Sequence, residues 1–582
     1  MTYSLLPLDK EYTERNVFHM EFCVEDDALV IQVKEIGSRT LAIRASKMME
    51  DNQIAKGGKT MLEKRNALIR FAKRVERVGN KLPHPAYIFL YLLAVVMIVS
   101  AILSAAGVSV TYDSVTSDGT VIEKTVSVVN LLSRSELQNF ISNINTAYNA
   151  NKTVNLLIIV TMFMAVAEAS GLFEASLRKV LLKAPREVAT YALCVVGVCS
   201  NICSDAGMIL AAAIGAVLFR ALGRNPWIGI AAGYGAAAAG FTANLLPVTT
   251  DVALSGISAQ LAEAEGFTVH ALSNYIFLLV ATFVVAAALT FVTERFLAPL
   301  YGDYQPGEKE HDVSGLASYE LTHEEEKGLR YAGIGALCFI AFLVLGCLPV
   351  RNFPLLGFFR NPDDFTLVPK SPFMSGIVPL ICIFFLCIGI PFGIATGKIK
   401  KKDDIPRIMT EGVAKMAGLI FIFFFCSLFT YQFNRSGLST VVSVYGEKLI
   451  SSVGLEGYPL LVVFIFVITI INIFMYSGSA KWMILAPVFI PLFSRLSIHP
   501  ALTQLAYRIG DSSTNNLTPL NACLLATIVL MQQYRDPEIN PEEPGMGTVL
   551  SGQFALSIAT LVSMVLLLGV FYFTGLPIGI GM

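Results

Sequence analysis

Along most of the chain, apolar residues gather into runs of about 20 rather than alternating in twos. A run of that length is what a helix needs to cross ~30 Å of hydrocarbon. Such runs fall near 86–107, 153–173, 188–203, 227–247, 273–296, 329–348, 374–396, 412–432, 459–476, 517–534 and 553–578. Two further stretches, 206–222 and 482–496, are shorter and begin on polar residues, so they are expected to enter the membrane and turn back. The pattern predicts an all-α polytopic membrane protein and excludes an outer-membrane barrel built from short alternating strands.

Composition agrees with the pattern. The 582 residues are 54% hydrophobic and only 15% charged, and the mean hydropathy is +0.62. With 43 Lys+Arg against 44 Asp+Glu, nothing marks a nucleic-acid partner. The ten cysteines contain no CxxC pair and lie almost entirely inside apolar runs, which reads as core packing rather than a disulfide or metal framework.

Charge then gives orientation and domain organisation. Basic residues cluster before the first span, after the second (Arg178, Lys179, Lys183, Arg186) and in "GKIKKKDD" (Lys398, Lys400, Lys401, Lys402). The positive-inside rule puts all three, and the N-terminus with them, in the cytoplasm, whereas the loop 108–152 faces out. Residues 61–82 place apolar and basic residues on opposite helical faces, as an interfacial helix on an anionic leaflet does. No apolar core and cleavage site follow the early basic residues, so no signal peptide is expected. The expected order is an extension over 1–60, a basic helix over 61–84, a first membrane half over 85–300, a polar loop over 301–328 and a second half over 329–582. Re-entrant hairpins are expected near 200–222 and 477–497.

The two halves share a repeated unit. "SDAGMILAAAIGAVLFRALGRNPW" (204–227) and "GSAKWMILAPVFIPLFSRLSIHPA" (478–501) align on "MIL", and Pro226 and Pro500 fall at the same offset to within one residue. Each is followed by an N-x-x-P segment, "GFTANLLPVTTD" with Asn244 and Pro247, and "GDSSTNNLTPLN" with Asn516 and Pro519. A duplicated short hairpin followed by a proline-broken helix marks a secondary transporter whose site lies between the repeats. Backbone freed inside a membrane must be satisfied by neighbours, water or an ion. One proline-kinked helix alone would be unremarkable packing, but duplication with nearby charge favours a site.

Those charges are Asp205, Lys481, Arg508 and Asp511, next to Trp482. Each costs at least ~2.5 kcal/mol at the bilayer centre, so their proximity implies pairing and function. Arg508 and Asp511, three apart, have the spacing to neutralise each other on one helical face. Asp251 and Glu168 carry less weight, since each lies near a helix end where water can reach it.

Together "ERVGNKLPHP" (76–85), "SDAG" (204–207), "FTANLL" (241–246), "GSAKW" (478–482) and "RIGDSSTNNLTPL" (508–520) resemble the AbgT family of p-aminobenzoyl-glutamate transporters, in order from about residue 60 onwards. The resemblance implies a multi-pass homodimer of the bacterial inner membrane, with about nine transmembrane helices and two re-entrant hairpins per protomer. It further implies a secondary transporter with no cofactor, coupled to Na⁺ or H⁺. The implied cargo is p-aminobenzoyl-glutamate or a related folate-type compound or, for some members, sulfonamide antimetabolites exported on the proton gradient. Carried over by position, the substrate residues are Asp205, Ser479, Trp482, Pro500, Arg508, Asp511 and Pro519. Asn244, Ser513, Thr514 and Asn515 flank an ion site whose oxygens suit Na⁺. Two features depart from the pattern: the stretch before residue 60 is longer, and "NLLPVTTD" has a proline where an apolar residue is common.

Three rival classes remain in view. "GGKT" (57–60) would suggest a nucleotide-driven pump, but the phosphate-loop glycine is missing at Gln53. Ser477 or Ser479 with Lys481 would suggest an intramembrane hydrolase, for which Ser477, four residues away, is the better placed. A channel is disfavoured by buried Asp and Arg at broken helices.

Overall fold

The computed structural model describes residues 83–581, apart from short gaps at 116–120, 150–151, 183, 303–319, 352, 354–355, 368–370 and 536–542, and the backbone of three strands before them. Those strands, β1 (His19–Glu25), β2 (Ala28–Lys34) and β3 (Thr40–Arg44), form an antiparallel meander with Glu25 opposite Ala28 and Lys34 opposite Thr40. They belong to a separate unit, Met1–Lys64. The interfacial helix expected over 61–82 and the "GGKT" segment lie outside the described residues.

Apart from one strand pair, the regular structure of the remainder is helical. In chain order the first half contains α1 (Pro85–Ala105), α2 (Arg134–Ser142), α3 (Lys152–Ala169), α4 (Leu172–Leu182), α5 (Ala189–Cys199), α6 (Ser204–Ala221), α7 (Pro226–Ala239), α8 (Thr249–Ala264) and α9 (Tyr275–Val292). The second contains α10 (His323–Cys347), α11 (Ile377–Ala395), α12 (Asp404–Lys415), α13 (Ala417–Arg435), α14 (Leu438–Ser452), α15 (Gly457–Phe474), α16 (Gly478–Arg495), α17 (Pro500–Ser512), α18 (Ala522–Gln533) and α19 (Met546–Thr574).

Among the described residues, seven helices are long and apolar enough to cross a membrane: α1, α9 with its continuation to Tyr301, α10, α11, α13, α15 and α19. The pair α3 and α4, bent by 55°, supplies an eighth if it is one span. The eleven apolar runs therefore over-count. The run 188–203 ends as a helix at Cys199 and passes through a tight turn, Ser200–Cys203, into α6. The run 517–534 becomes a helix only at Ala522, and its 12 residues reach about 18 Å, short of the hydrocarbon thickness. In each case polar residues, "SNIC" and "SSTNNLTPLN", break the helix where hydropathy alone sees a continuous run.

Local chemistry sets the helix ends. Pro85, Pro226 and Pro500 each open a helix, where the missing N–H costs nothing. Thr322 and Glu325 form a reciprocal capping box at α10: Thr322 Oγ1 accepts from Glu325 N at 3.2 Å, and Glu325 Oε2 accepts from Thr322 N at 2.9 Å. At the centre, every residue of α7, "PWIGIAAGYGAAAA", is buried. Its small residues let α6 come very close, as membrane helices without a hydrophobic drive require. A Cβ on Gly215 would stand 2.2 Å from Gly229 O, and one on Gly229 2.0 Å from Gly215 O, so this crossing admits glycine alone on both sides.

The loop expected to face outward is more ordered than its composition suggests. Strands β4 (Ser109–Val115) and β5 (Val121–Ser127) pair antiparallel, with Ser109 opposite Ser127. Amphipathic α2 then pins the loop to the end of α13. Arg435 donates from Nε to Glu136 Oε2 at 3.0 Å and from Nη2 to Oε1 at 2.9 Å, and Val129 N reaches Ser436 O at 3.0 Å. The guanidinium hydrogen bonds hold the Glu136 carboxyl below the usual carboxylate range.

Candidate transport site between the repeats

The duplicated motifs fold as duplicated geometry. In the first half, α5 and α6 join through Ser200–Cys203, and α7 and α8 are separated by the unwound segment 240–248. In the second, α15 and α16 are separated by 475–477, and α17 and α18 by 513–521. The two proline-led helices start alike. Asn225 Oδ1 accepts from Trp227 N at 3.0 Å ahead of Pro226, and His499 Nδ1 accepts from Ala501 N at 3.1 Å ahead of Pro500. Helix α16, which contains Pro487 and Pro491, packs against α8, α14 and α17 and so joins the halves.

Four buried charges meet at these breaks, two of each sign, and none pairs as the spacing suggested. Arg508 does not turn to Asp511 on its own helix. Its Nη2 lies 2.6 Å from Asp251 Oδ1 at the start of α8, with side chains 2% and 1% exposed. The same Nη2 donates to Phe241 O at 2.8 Å, and Thr242 Oγ1 donates to the Arg508 carbonyl at 2.7 Å. The arginine of the second repeat is thus held by the break of the first. Contrary to the expectation for Asp251, water does not reach this helix end, and the residue is buried. Its Oδ2 accepts from Val248 N at 2.7 Å, and helix N-terminus and guanidinium together compensate its charge. Glu168, weighted equally, is half-exposed and pairs with Lys415 at 3.2 Å.

Asp511 pairs instead with Lys481, at 2.6 Å from Nζ to Oδ1. Lys481 also donates to Met475 O at 3.2 Å and to Asn472 Oδ1. The Asn472 amide in turn reaches Asp511 O at 2.6 Å, Asn515 Oδ1 at 2.9 Å and Thr514 Oγ1 at 3.1 Å. Asp511 Oδ2 lies over Gly478, where an added Cβ would stand 3.0 Å away. Ser477 Oγ accepts from Ala480 N at 3.4 Å and so caps α16.

An aromatic pair lies beside the charges. Trp482 stacks on Tyr507 with centroids 4.4 Å apart and planes 28° apart. Its indole N–H donates to Ser258 Oγ at 3.0 Å, and Tyr507 OH donates to Gly478 O at 2.5 Å. Both rings are buried.

The polar groups of the break 513–521 bond mostly to the helices around it. Ser513 Oγ donates to Gly510 O at 3.0 Å and lies 3.4 Å from Thr469 Oγ1, and Thr514 Oγ1 donates to Thr469 O at 3.2 Å. Asn516 Nδ2 reaches Gln553 Oε1 at 3.0 Å, and Asn521 Nδ2 reaches Asn515 O at 3.1 Å and Tyr234 OH at 3.2 Å. Ser513, Thr514, Asn515, Asn516 and Asn521 are all buried, and side-chain bonds take the place of helical ones, as the membrane interior demands.

The expected residues therefore divide. Arg508, Asp511, Trp482, Ser513, Thr514 and Asn515 share one buried cluster, with Ser479 half-buried in the first turn of α16 and Pro519 half-buried within the break. Pro500 sets the start of α17, and the backbone of Asp205 falls in the first turn of α6. Asn244 lines an apolar cavity of about 400 Å³ bounded by Phe173, Ile202, Leu329 and Phe384. It is 2% exposed, and its Nδ2 has no partner among the described residues. Asn472, Tyr507 and Ser258 entered no expectation. Asn472 carried a usable signal, as a lone amide inside the apolar run "LLVVFIFVITIINIF". Tyr507 and Ser258 carried none, because only the crossing of α8, α16 and α17 brings them to Trp482.

Comparison with known proteins shows the family and the fold. The AbgT putative transporter family model matches residues 70–582. The p-aminobenzoyl-glutamate transport protein of Escherichia coli (strain K12) is 35% identical over 509 residues, covering 87% of this chain and 95% of that one. Among solved structures, the MtrF protein of Neisseria gonorrhoeae, described within a class of antimetabolite efflux pumps, superposes with a TM-score of 0.81 at 30% identity, over 88% of this chain and 99% of that one. The YdaH transporter of Alcanivorax borkumensis superposes with a TM-score of 0.75 at 27% identity, over 85% and 100%.

Proposed function

Because the chain belongs to the AbgT family of membrane transporters, we propose that it moves p-aminobenzoyl-glutamate, or a closely related aromatic amide of an acidic amino acid, by coupled secondary transport. The observation that supports this most is Arg508, a buried guanidinium at the meeting of the two helix breaks beside the stacked Trp482 and Tyr507. A guanidinium clamps a carboxylate in a fork, and an aromatic wall beside it suits a benzoyl ring. In this reading Asp205, Ser479, Pro500, Asp511 and Pro519 complete the substrate path. Ser513, Thr514 and Asn515, with Asn244 on the opposite break, serve the coupling ion, Na⁺ or H⁺, and no other cofactor is needed.

The working protein in this proposal is a homodimer in the bacterial inner membrane with its N-terminus in the cytoplasm, as the basic clusters favour. A second reading, proton-driven export of sulfonamide antimetabolites, is favoured by the likeness to MtrF. Purified protein in liposomes, given labelled p-aminobenzoyl-glutamate under an imposed Na⁺ or H⁺ gradient, distinguishes them. We expect accumulation that one of the two gradients drives and that collapses when it is dissipated. Flux indifferent to both gradients would count against coupled transport, and movement of a labelled sulfonamide alone would favour the second reading.

A further inference from the structure

We propose that Asp251 is a built-in stand-in for the substrate's carboxylate: it occupies Arg508 in the empty transporter, latches the two repeats together, and is displaced when a carboxylate ligand takes its place. The proposal rests on the reading of Arg508 as the carboxylate clamp.

Asp251 engages Arg508 incompletely. Its Oδ1 lies 2.6 Å from Nη2, but its Oδ2 is committed to Val248 N at 2.7 Å, so the two oxygens cannot close a fork on the guanidinium. Correspondingly Arg508 Nε, fully buried, has no hydrogen-bond partner among the described residues. A free carboxylate placed against the same edge would satisfy Nη2 and Nε together, the bidentate arrangement that a tethered Asp251 does not reach. The incoming ligand therefore gains a bond that the resident lacks, and an orphaned donor finds its acceptor.

Displacement leaves the aspartate its bond to Val248 N and the α8 N-terminus as compensation, and the ligand's gain at Arg508 has to exceed that loss. Asp251 sits in the first turn of α8, with Val248 as N-cap, where the helix N-terminus favours a carboxylate without any counter-cation. Release of Arg508 requires the halves to part. The Asp251–Arg508 pair joins the first repeat's break to α17 of the second, and its opening leaves Phe241 O and Thr242 Oγ1 as the remaining bonds between that break and Arg508. Ligand capture and release of one cross-repeat contact thereby become the same event, and the ligand's differential affinity is what drives the change.

The same geometry explains selectivity. A neutral amide at this position offers one acceptor and no charge, and it cannot compete with an ionised Asp251 for a guanidinium. Discrimination between a carboxylate and its amide is set by the resident competitor as well as by Arg508 itself.

The test is equilibrium binding to the full-length protein in detergent, with p-aminobenzoyl-glutamate and its neutral diamide as probes. Asp251→Asn retains an acceptor for Val248 N but no longer competes for Arg508 with a charge. We expect it to tighten the dicarboxylate by about tenfold, a shift of ~1.4 kcal/mol, to leave the diamide within about twofold, and to slow transport. D251N/R508Q, which removes both charges, is expected to lose the preference between the probes. On the wild-type protein, saturating p-aminobenzoyl-glutamate should speed amide exchange across 241–244, which a purely structural Asp251 would not do. If wild-type protein binds the dicarboxylate while D251N shows an unchanged ratio between the probes, the stand-in role is wrong and the transport reading survives. If D251N does not fold, unchanged or slowed exchange at 241–244 in the wild type overturns the proposal. If wild-type protein binds neither probe, the clamp reading and this inference fall together.

Discussion

Arg508→Ala is expected to abolish coupled uptake and to destabilise the purified protein by about 3–5 kcal/mol, the cost of removing one partner from a buried ion pair. The truncation takes away the guanidinium proposed to hold the substrate. It also leaves Asp251, 1% exposed, with only the α8 N-terminus for compensation and frees Phe241 O of its donor. Arg508→Lys separates these effects. An ammonium keeps charge opposite Asp251, so much of the stability should return. A point charge without a fork does not restore bidentate recognition, so uptake should remain at least ~100-fold reduced. The measurements are thermal unfolding in detergent and initial uptake in liposomes. Lysine rescue of both together would contradict a fork-dependent clamp.

The second large effect lies at Lys481 and Asp511. Each single change, Lys481→Met or Asp511→Asn, leaves the other charge buried among Asn472, Met475 O and the start of α16, and each is expected to cost about 3–5 kcal/mol. The double variant removes both charges and leaves amide, thioether and backbone carbonyl in the same space. Its loss should fall short of the sum of the single losses by a coupling of about 1–3 kcal/mol in a double-mutant cycle. Uptake should stay lost in all three variants if the pair serves transport as well as folding. Additive losses would show that the two residues act independently, despite their 2.6 Å approach.

Much of the fold was legible in the sequence, because a lipid environment makes hydropathy an almost direct reading of helix position. The long spans α1, α9, α10, α11, α13, α15 and α19 all fall on runs that hydropathy marks. What hydropathy misses is interruption. At Ser200–Cys203, 240–248 and 513–521 the flanking apolar residues continue, and the break depends on side chains such as Asn201, which bonds Gly240 O at 3.1 Å from 39 residues away. The β4–β5 pair in the loop 108–152 carried a signal, Val110, Tyr112, Val115, Val121, Ile122 and Val126 in two short runs, which a search for 20-residue apolar runs passes over.

The site was legible in part for a related reason. Duplication located the two N-x-x-P breaks, and the expense of intramembrane charge singled out Lys481, Arg508 and Asp511. Pairing was not legible, since Arg508 and Asp511, near neighbours in sequence, turn to partners on other elements: Asp251 across the repeat interface and Lys481 on α16 of the same repeat. Asp251 was underweighted for that reason: its position at a helix start suggested water, and only the crossing of α8 against α17 seals it. Asn472, at the centre of the Lys481 network, was visible as a polar residue in an apolar run, but hydropathy does not say which way it faces.

The central claim, that cargo binds where the two broken repeats meet, is tested most directly by photolabelling. The 4-azidobenzoyl analogue of p-aminobenzoyl-glutamate, irradiated with the wild-type protein and mapped by peptide mass spectrometry, should attach within 478–482 and 507–519. Excess p-aminobenzoyl-glutamate should suppress that labelling, and so should Arg508→Lys. Suppressible labelling confined to other segments, such as the wall of the Asn244 cavity at Phe173, Leu329 and Phe384, would contradict the account.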